Sequence, residues 1–180
     1  WANNAVPAVV PDADAEDFIR TTAINVAMVD LDINALFTDA DDASLTIAAT
    51  TGAPLTGTTI TAGVWAGTPT VYGWPNLFTV TATDIAGATV TAEFSEYVGD
   101  AVADVIDDSQ AAGTATLEAQ GFTVAVGTAH YSSTIAEGNI AVTSPAAEVV
   151  VEHESTVTIF LSLGPAKGVG RPFSFSWWEG

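Results

Sequence analysis

Few side chains in this sequence are of a kind that does chemistry, and their types narrow the options at once. There is no cysteine, which removes thiol catalysis, disulfides and Cys-containing zinc sites. The two histidines, His130 and His153, read as solvent-facing polar positions rather than as metal ligands or acid–base groups. No Gly-x-Ser-x-Gly elbow, Ser-x-x-Lys pair, P-loop or dinucleotide fingerprint occurs. Carboxylates are the abundant group. Glycoside hydrolysis, however, needs two of them about 5–9 Å apart in a cleft, and nothing in the sequence indicates one. The expectation is a protein that is not an enzyme and carries no organic cofactor.

One cluster offers a metal something to hold. Asp39, Asp41 and Asp42 supply hard oxygens within four residues, the donor type calcium requires. Asp84 is expected at the other end of the domain, because successive loops of an antiparallel sandwich alternate between its ends. The competing reading is that these aspartates cap turns through their side chains. The missing glycine after Asp41 weighs toward capping, since EF-type loops use one for their sharp bend.

The C-terminal stretch, 166–180, has a different chemistry. Phe173, Phe175 and Trp177 alternate with serines, Trp178 follows, and Lys167 and Arg171 are two of only three basic residues. Each aromatic could contribute about 2 kcal/mol on burial, yet the segment has no core of its own. Two fates fit: docking on a protein partner, a neighbouring copy above all, by adding to a sheet edge, or folding back on its own chain. Lys167, Arg171, Phe173, Phe175, Trp177 and Trp178 are therefore the expected assembly interface. Trp1, Trp65 and Trp74 read as core or interface aromatics.

Composition sets the frame around these groups. The chain has 180 residues, enough for one large or two small domains, and is 48% hydrophobic, enough for a packed core. Three basic residues face 22 acidic ones, a net charge of -19. Nucleic acid and anionic membrane surfaces are poor partners for such a chain, because binding phosphates needs Lys and Arg. Strong acidity suits solubility, divalent cations or a saline habitat. No segment approaches the ~20 apolar residues of a membrane span. The chain opens on Trp1 with no visible signal peptide, and the expectation is that a piece upstream of it is missing.

Val and Thr dominate between turn residues, which is the pattern of a β-rich fold. Residues 1–22 read as an extended arm or edge strand carrying Pro7 and Pro11. Strands are expected from Thr22 through Met28, at Ser44 to Ala49, and at Thr58 to Val64. A hairpin is expected from Phe78–Thr83 and Thr89–Phe94, turning at Asp84–Gly87. Farther on, Ser109 is placed to cap a helix running to about Gln120, with Gly121 as its C-cap and Ala112, Ala115 and Ala119 on one face. Gly113 weakens that helix by about 1 kcal/mol. Three strands follow, at Phe122–Ala129, Asn139–Ser144 and Thr156–Leu163.

Leu36-Phe37-Thr38-Asp39-Ala40-Asp41-Asp42-Ala43-Ser44-Leu45-Thr46, Gly67-Thr68-Pro69-Thr70 and Phe78-Thr79-Val80-Thr81-Ala82-Thr83-Asp84 resemble, in order, motifs of cadherin-like and bacterial immunoglobulin-like domains. The resemblance implies a sandwich of roughly seven strands. Leu117-Glu118-Ala119-Gln120-Gly121-Phe122-Thr123-Val124, Ile140–Ala147 and Ser155–Pro165 resemble PASTA domains. Asp107, Glu148 and Glu154 stand where those domains usually carry glycine, so the turns there are expected to be reshaped.

The fold expected is thus mainly β. An Ig-like antiparallel sandwich occupies 23–99, and a small α+β PASTA-like domain, one helix on a three-stranded sheet, occupies 100–165. The pairing resembles accessory proteins of bacteriophage virions, which implies a non-enzymatic decoration, fibre or tail component that binds self copies or capsid and tail proteins. The alternative is a module of a bacterial surface protein or filament that binds cell-wall glycan or peptidoglycan, or adheres in a calcium-dependent way. Against the glycan reading stands a scarcity of basic and aromatic residues within the second domain. Either places the chain on a virion surface or outside the cell.

Overall fold

A computed structural model describes residues 4–10, 13, 15–41 and 44–166. Thirteen strands and one α-helix occur among them: β1 (Ala8–Val9), β2 (Ile19–Ala23), β3 (Leu31–Asp32), β4 (Phe37–Thr38), β5 (Thr46–Thr51), β6 (Thr58–Thr61), β7 (Val64–Gly67), β8 (Gly73–Thr83), β9 (Thr89–Ala101), α1 (Gln110–Ala119), β10 (Thr123–Val126), β11 (Ile140–Ser144), β12 (Val150–Val151) and β13 (Thr156–Leu161). The fold is mainly β, as expected, and divides into two compact units. The first is Trp1–Val102 with Glu148–Ser155; the second is Ala103–Ala147 with Thr156–Gly180.

In the first unit β9 is the spine. Along one edge it pairs antiparallel with β8, Phe78 opposite Phe94 and Thr83 opposite Thr89. Along the other it takes β2 in parallel, from Ile19 opposite Ser95 to Ala23 opposite Gly99, and then β12 in antiparallel. β5 completes the sheet beyond β8. A second sheet, β3-β7-β6, supplies Trp65, and β1 pairs with β4. Period-two alternation sends Phe78, Val80, Ala82 and Phe94 inward, where they meet Trp65, Ile33, Leu36 and Phe37. Trp65 stands edge-on to Phe78 with centroids 4.9 Å apart, the geometry ring quadrupoles favour. Trp65 is thus a core residue.

One inward position on β9 is a carboxylate. Glu96 is completely buried. Leu55 N donates to its Oε2 at 2.7 Å, Asn76 Nδ2 reaches the same oxygen at 3.4 Å, and Thr58 Oγ1 lies 3.1 Å from Oε1. These contacts tie the loop before β6 to the centre of the sheet. They satisfy a group that would otherwise be costly to bury.

Three expectations are corrected here. The strand expected from Thr22 through Met28 lies earlier, at Ile19–Ala23. Its register on β9 ends at Gly99, and Asn25 then turns the chain with φ of 59°. The strand expected at Thr58–Val64 is two strands of a hairpin, because Ala62 and Gly63 both adopt positive φ, as a tight turn requires. The turns at Asp107, Glu148 and Glu154 are not reshaped. All three residues hold left-handed backbone, with φ of 68°, 65° and 63°.

Gly99 shows how tightly β12 sits on β9. A Cβ at that position would collide with the Val151 carbonyl oxygen and touch Trp74 Cζ3 at 3.1 Å. Any side chain there would push β12 off the sheet.

The second unit has α1 and the sheet β10-β13-β11, with β10 parallel and β11 antiparallel to β13. Ser109 caps the helix, its Oγ accepting from Ala112 N at 3.3 Å. The alanine row lies on the exposed side of the helix. Ala112, Ala115 and Ala119 are exposed, while Gly113 and Leu117, one turn apart, point inward. A Cβ at Gly113 would strike Ile140 Cδ1 and approach Val105 Cβ to 3.2 Å. Glycine therefore costs helix propensity and in exchange lets the backbone seat against Ile140. Val157 and Ile159 of β13 complete this core.

Candidate ligand-binding site

In the second unit the chain leaving β10 continues parallel to the end of β13. His130 N donates to Leu161 O at 2.9 Å, Leu163 N to His130 O at 2.7 Å, and Ser132 N to Gly164 O at 3.0 Å. Ser132 Oγ then accepts from Ile135 N at 3.0 Å and caps the turn. Buried Ser162 donates from Oγ to Ile135 O at 2.8 Å and accepts from Gly164 N at 2.9 Å. This loop encloses a pocket of about 220 Å³ lined by Tyr131, Glu137, Leu163 and Pro165. Tyr131 is 66% exposed, so its ring is offered to a ligand rather than spent on the core. An aromatic ring, two apolar walls and one carboxylate can grip a ligand.

This pocket was missed by the sequence reading. Tyr131 sits in a stretch with no alternation, and nothing local distinguishes an exposed tyrosine from a core one. Also unforeseen is a group at β12. His153 Nδ1 lies 2.6 Å from Asp100 Oδ2, Tyr72 donates its hydroxyl to Asp100 Oδ1 at 3.1 Å, and the Tyr72 and His153 rings stack at 3.9 Å. Burial, then the bond to Asp100, pushes the Tyr72 phenol above its ordinary value. His153 is therefore an anchor of the β12 segment rather than a free polar position. His130 is exposed, as expected, with its ring 5.4 Å from that of Phe160.

The aspartates hold the N-terminal arm. Asp84 Oδ2 accepts from Asn4 Nδ2 at 2.8 Å, and the Asp41 carboxylate accepts from Ala5 N at 3.1 Å. Asp84 and Asp41 therefore lie at one end of the unit, not at opposite ends. The reason is the register of β5, whose Thr46 faces Thr83 of β8, so the loop entering β5 meets the turn leaving β8. Asp39 Oδ1 accepts from Asp41 N at 3.0 Å, a turn-capping bond. Asp42 lies outside the described residues, and among those described no group of three or more His, Asp or Glu side chains could hold a metal ion. Lys167, Arg171, Phe173, Phe175, Trp177 and Trp178 also lie outside the described residues.

The Asn4 amide holds the Asp84 carboxyl below the usual carboxylate range; burial opposes this, and the Ala88, Gly87 and Ala86 backbone N–H groups assist it. A carboxyl whose folded value is depressed lends stability above its unfolded value, about pH 4, and loses it as pH falls through the lowered one. The arm is accordingly expected to release on acidification below about pH 4. An NMR titration of the Asn4 side-chain amide checks this. A resonance unmoved between pH 5 and 2 would contradict it.

Residues 100–163 match the family model of the PASTA domain. The PASTA segment contains α1, β10, β11, β12 and β13, together with Tyr131, Glu137 and Leu163 of the pocket. Among solved structures, the chain is similar to the entire extracellular region of the Ser/Thr kinase PrkC from Staphylococcus aureus. Identity is 16% and the TM-score 0.33, over 83% of this chain and 39% of that one, so the chain spans well under half that structure's length. No curated protein matches the chain. The resemblance of the first unit to immunoglobulin-like domains, and the expectation of a bacteriophage virion component, receive no support from these comparisons.

Proposed function

We propose that this chain is a non-enzymatic, extracellular module that attaches to the bacterial cell wall by binding its glycan or peptidoglycan through the second unit. The PASTA match over 100–163 carries this reading, since PASTA domains on kinases and penicillin-binding proteins imply wall recognition. The pocket supports it independently. An exposed aromatic beside apolar walls suits the C–H face of a sugar ring, and a polar group at the rim fixes orientation.

Sedimentation with purified peptidoglycan sacculi tests the proposal. The intact protein is expected to co-sediment, and Tyr131→Ala to weaken retention about tenfold, the usual order for losing an aromatic anchor. Tyr131 is exposed, so the variant is expected to fold like the parent. Intact protein left wholly in the supernatant would end this reading.

A further inference from the structure

We infer that the pocket of Tyr131, Glu137, Leu163 and Pro165 selects a sugar unit bearing a free, protonated amino group, so that the preferred polymer is a de-N-acetylated amino-sugar chain. The inference rests on the wall-binding reading and names its ligand more narrowly. Size comes first. The pocket, about 220 Å³, is smaller than the ~300–1,000 Å³ typical of drug-sized ligand sites, so it admits one ring and leaves the rest of a polymer outside.

The lining gives the ring its orientation. Tyr131 presents a face for stacking, and Leu163 and Pro165 form apolar sides, which together suit the flat C–H face of a pyranose. Charge decides the substituent. Among the described residues Glu137 is the one charged residue in the lining, and its carboxylate makes no hydrogen bond or ion pair with any of them. An ammonium within its reach forms an ion pair as well as a hydrogen bond, whereas an N-acetyl group offers a neutral N–H and no charge to pair. The whole molecule favours the same choice. Its net charge of -19 draws cationic groups toward the surface. Arg20 is the single Lys or Arg among the described residues and lies in the other unit.

Calorimetric titration of the full chain with glucosamine tetramer, N-acetylglucosamine tetramer and a lysine-containing peptide of equal charge tests this. At low salt the glucosamine tetramer is expected to bind about tenfold more tightly than the acetylated one, a preference that shrinks as salt shortens the Debye length. Glu137→Gln is expected to erase it. Glu118→Gln, which removes an exposed carboxylate of α1 outside the pocket, is expected to leave it intact. Three results overturn the inference: equal affinity for the two tetramers, equal loss in both variants, which would mean diffuse attraction to the acidic surface, or a peptide that binds as well as the amino sugar. Sacculi that retain the protein while neither tetramer binds would end this inference and leave the wall-binding reading standing. Tetramer binding without retention on sacculi would do the reverse.

Discussion

Replacing Glu96 with alanine is expected to lower the stability of the first unit by about 2–4 kcal/mol, while glutamine costs less than about 1 kcal/mol. The difference lies in what each leaves behind. Alanine strands the half-buried Leu55 N–H and opens a cavity beneath the loop before β6. Glutamine keeps the volume and can keep the bonds. Its Oε1 accepts from Leu55 N, and its amide donates to Thr58 Oγ1, whose single hydrogen is then committed to Leu55 O at 2.9 Å. Urea unfolding midpoints for the parent and both variants, at constant m-value, decide it. If the two substitutions cost the same, the hydrogen bonds are not what the carboxylate contributes, and only the filled volume matters.

Glycine at Glu148 and Glu154 is expected to stabilise the protein, by about 1–2 kcal/mol for the pair, or roughly 3–6 °C in Tm. Left-handed backbone strains any residue with a Cβ, and both glutamates hold φ above 60°. Some of the gain is returned through the larger entropy of glycine in the unfolded chain. Removing two carboxylates from a chain of net charge -19 works in the same direction as relief of strain. Asp107 is a different case. Asn139 Nδ2 donates to its backbone oxygen at 2.7 Å and to its carboxylate at 3.1 Å, so Asp107→Gly loses a bond as it relieves the backbone and is expected to be close to neutral. Calorimetry on Glu148→Gly and Glu154→Gly, singly and together, tests the argument. A lower Tm for both would show that the glutamates hold contacts worth more than the strain they bear.

Much of the architecture was legible because it is written in short-range pattern. The hairpin of β8 and β9 shows as alternation on either side of Asp84–Gly87, and the Ser109 cap and the places of β10, β11 and β13 along the chain can be read from local spacing. Where local pattern was ambiguous, the reading went wrong in a physical way. The alanines of α1 share a face, but which face is buried depends on what approaches. Only a glycine at 113 admits Ile140 so closely. Asp39 and Asp41 look like metal donors until the turn and the arm are in place, with Asp41 N donating to Asp39 and Ala5 N to Asp41.

What the sequence determined by itself is the class and character of this protein. Its Val/Thr alternation makes it β-rich, its lack of cysteine closes off thiol and disulfide chemistry, and its 22 acidic residues against three basic ones give it a net charge of -19. What only the tertiary structure decided is where distant residues meet. It set Glu96 among its donors from 55, 58 and 76, joined His153 to Asp100 across 53 residues, and gathered Tyr131, Glu137, Leu163 and Pro165 around one pocket. The physical reason is range. Strand periodicity and turn preference act over a few residues and leave a trace in the local sequence. Pockets and buried polar networks form from segments tens of residues apart, brought together by sheet register, which no short stretch records.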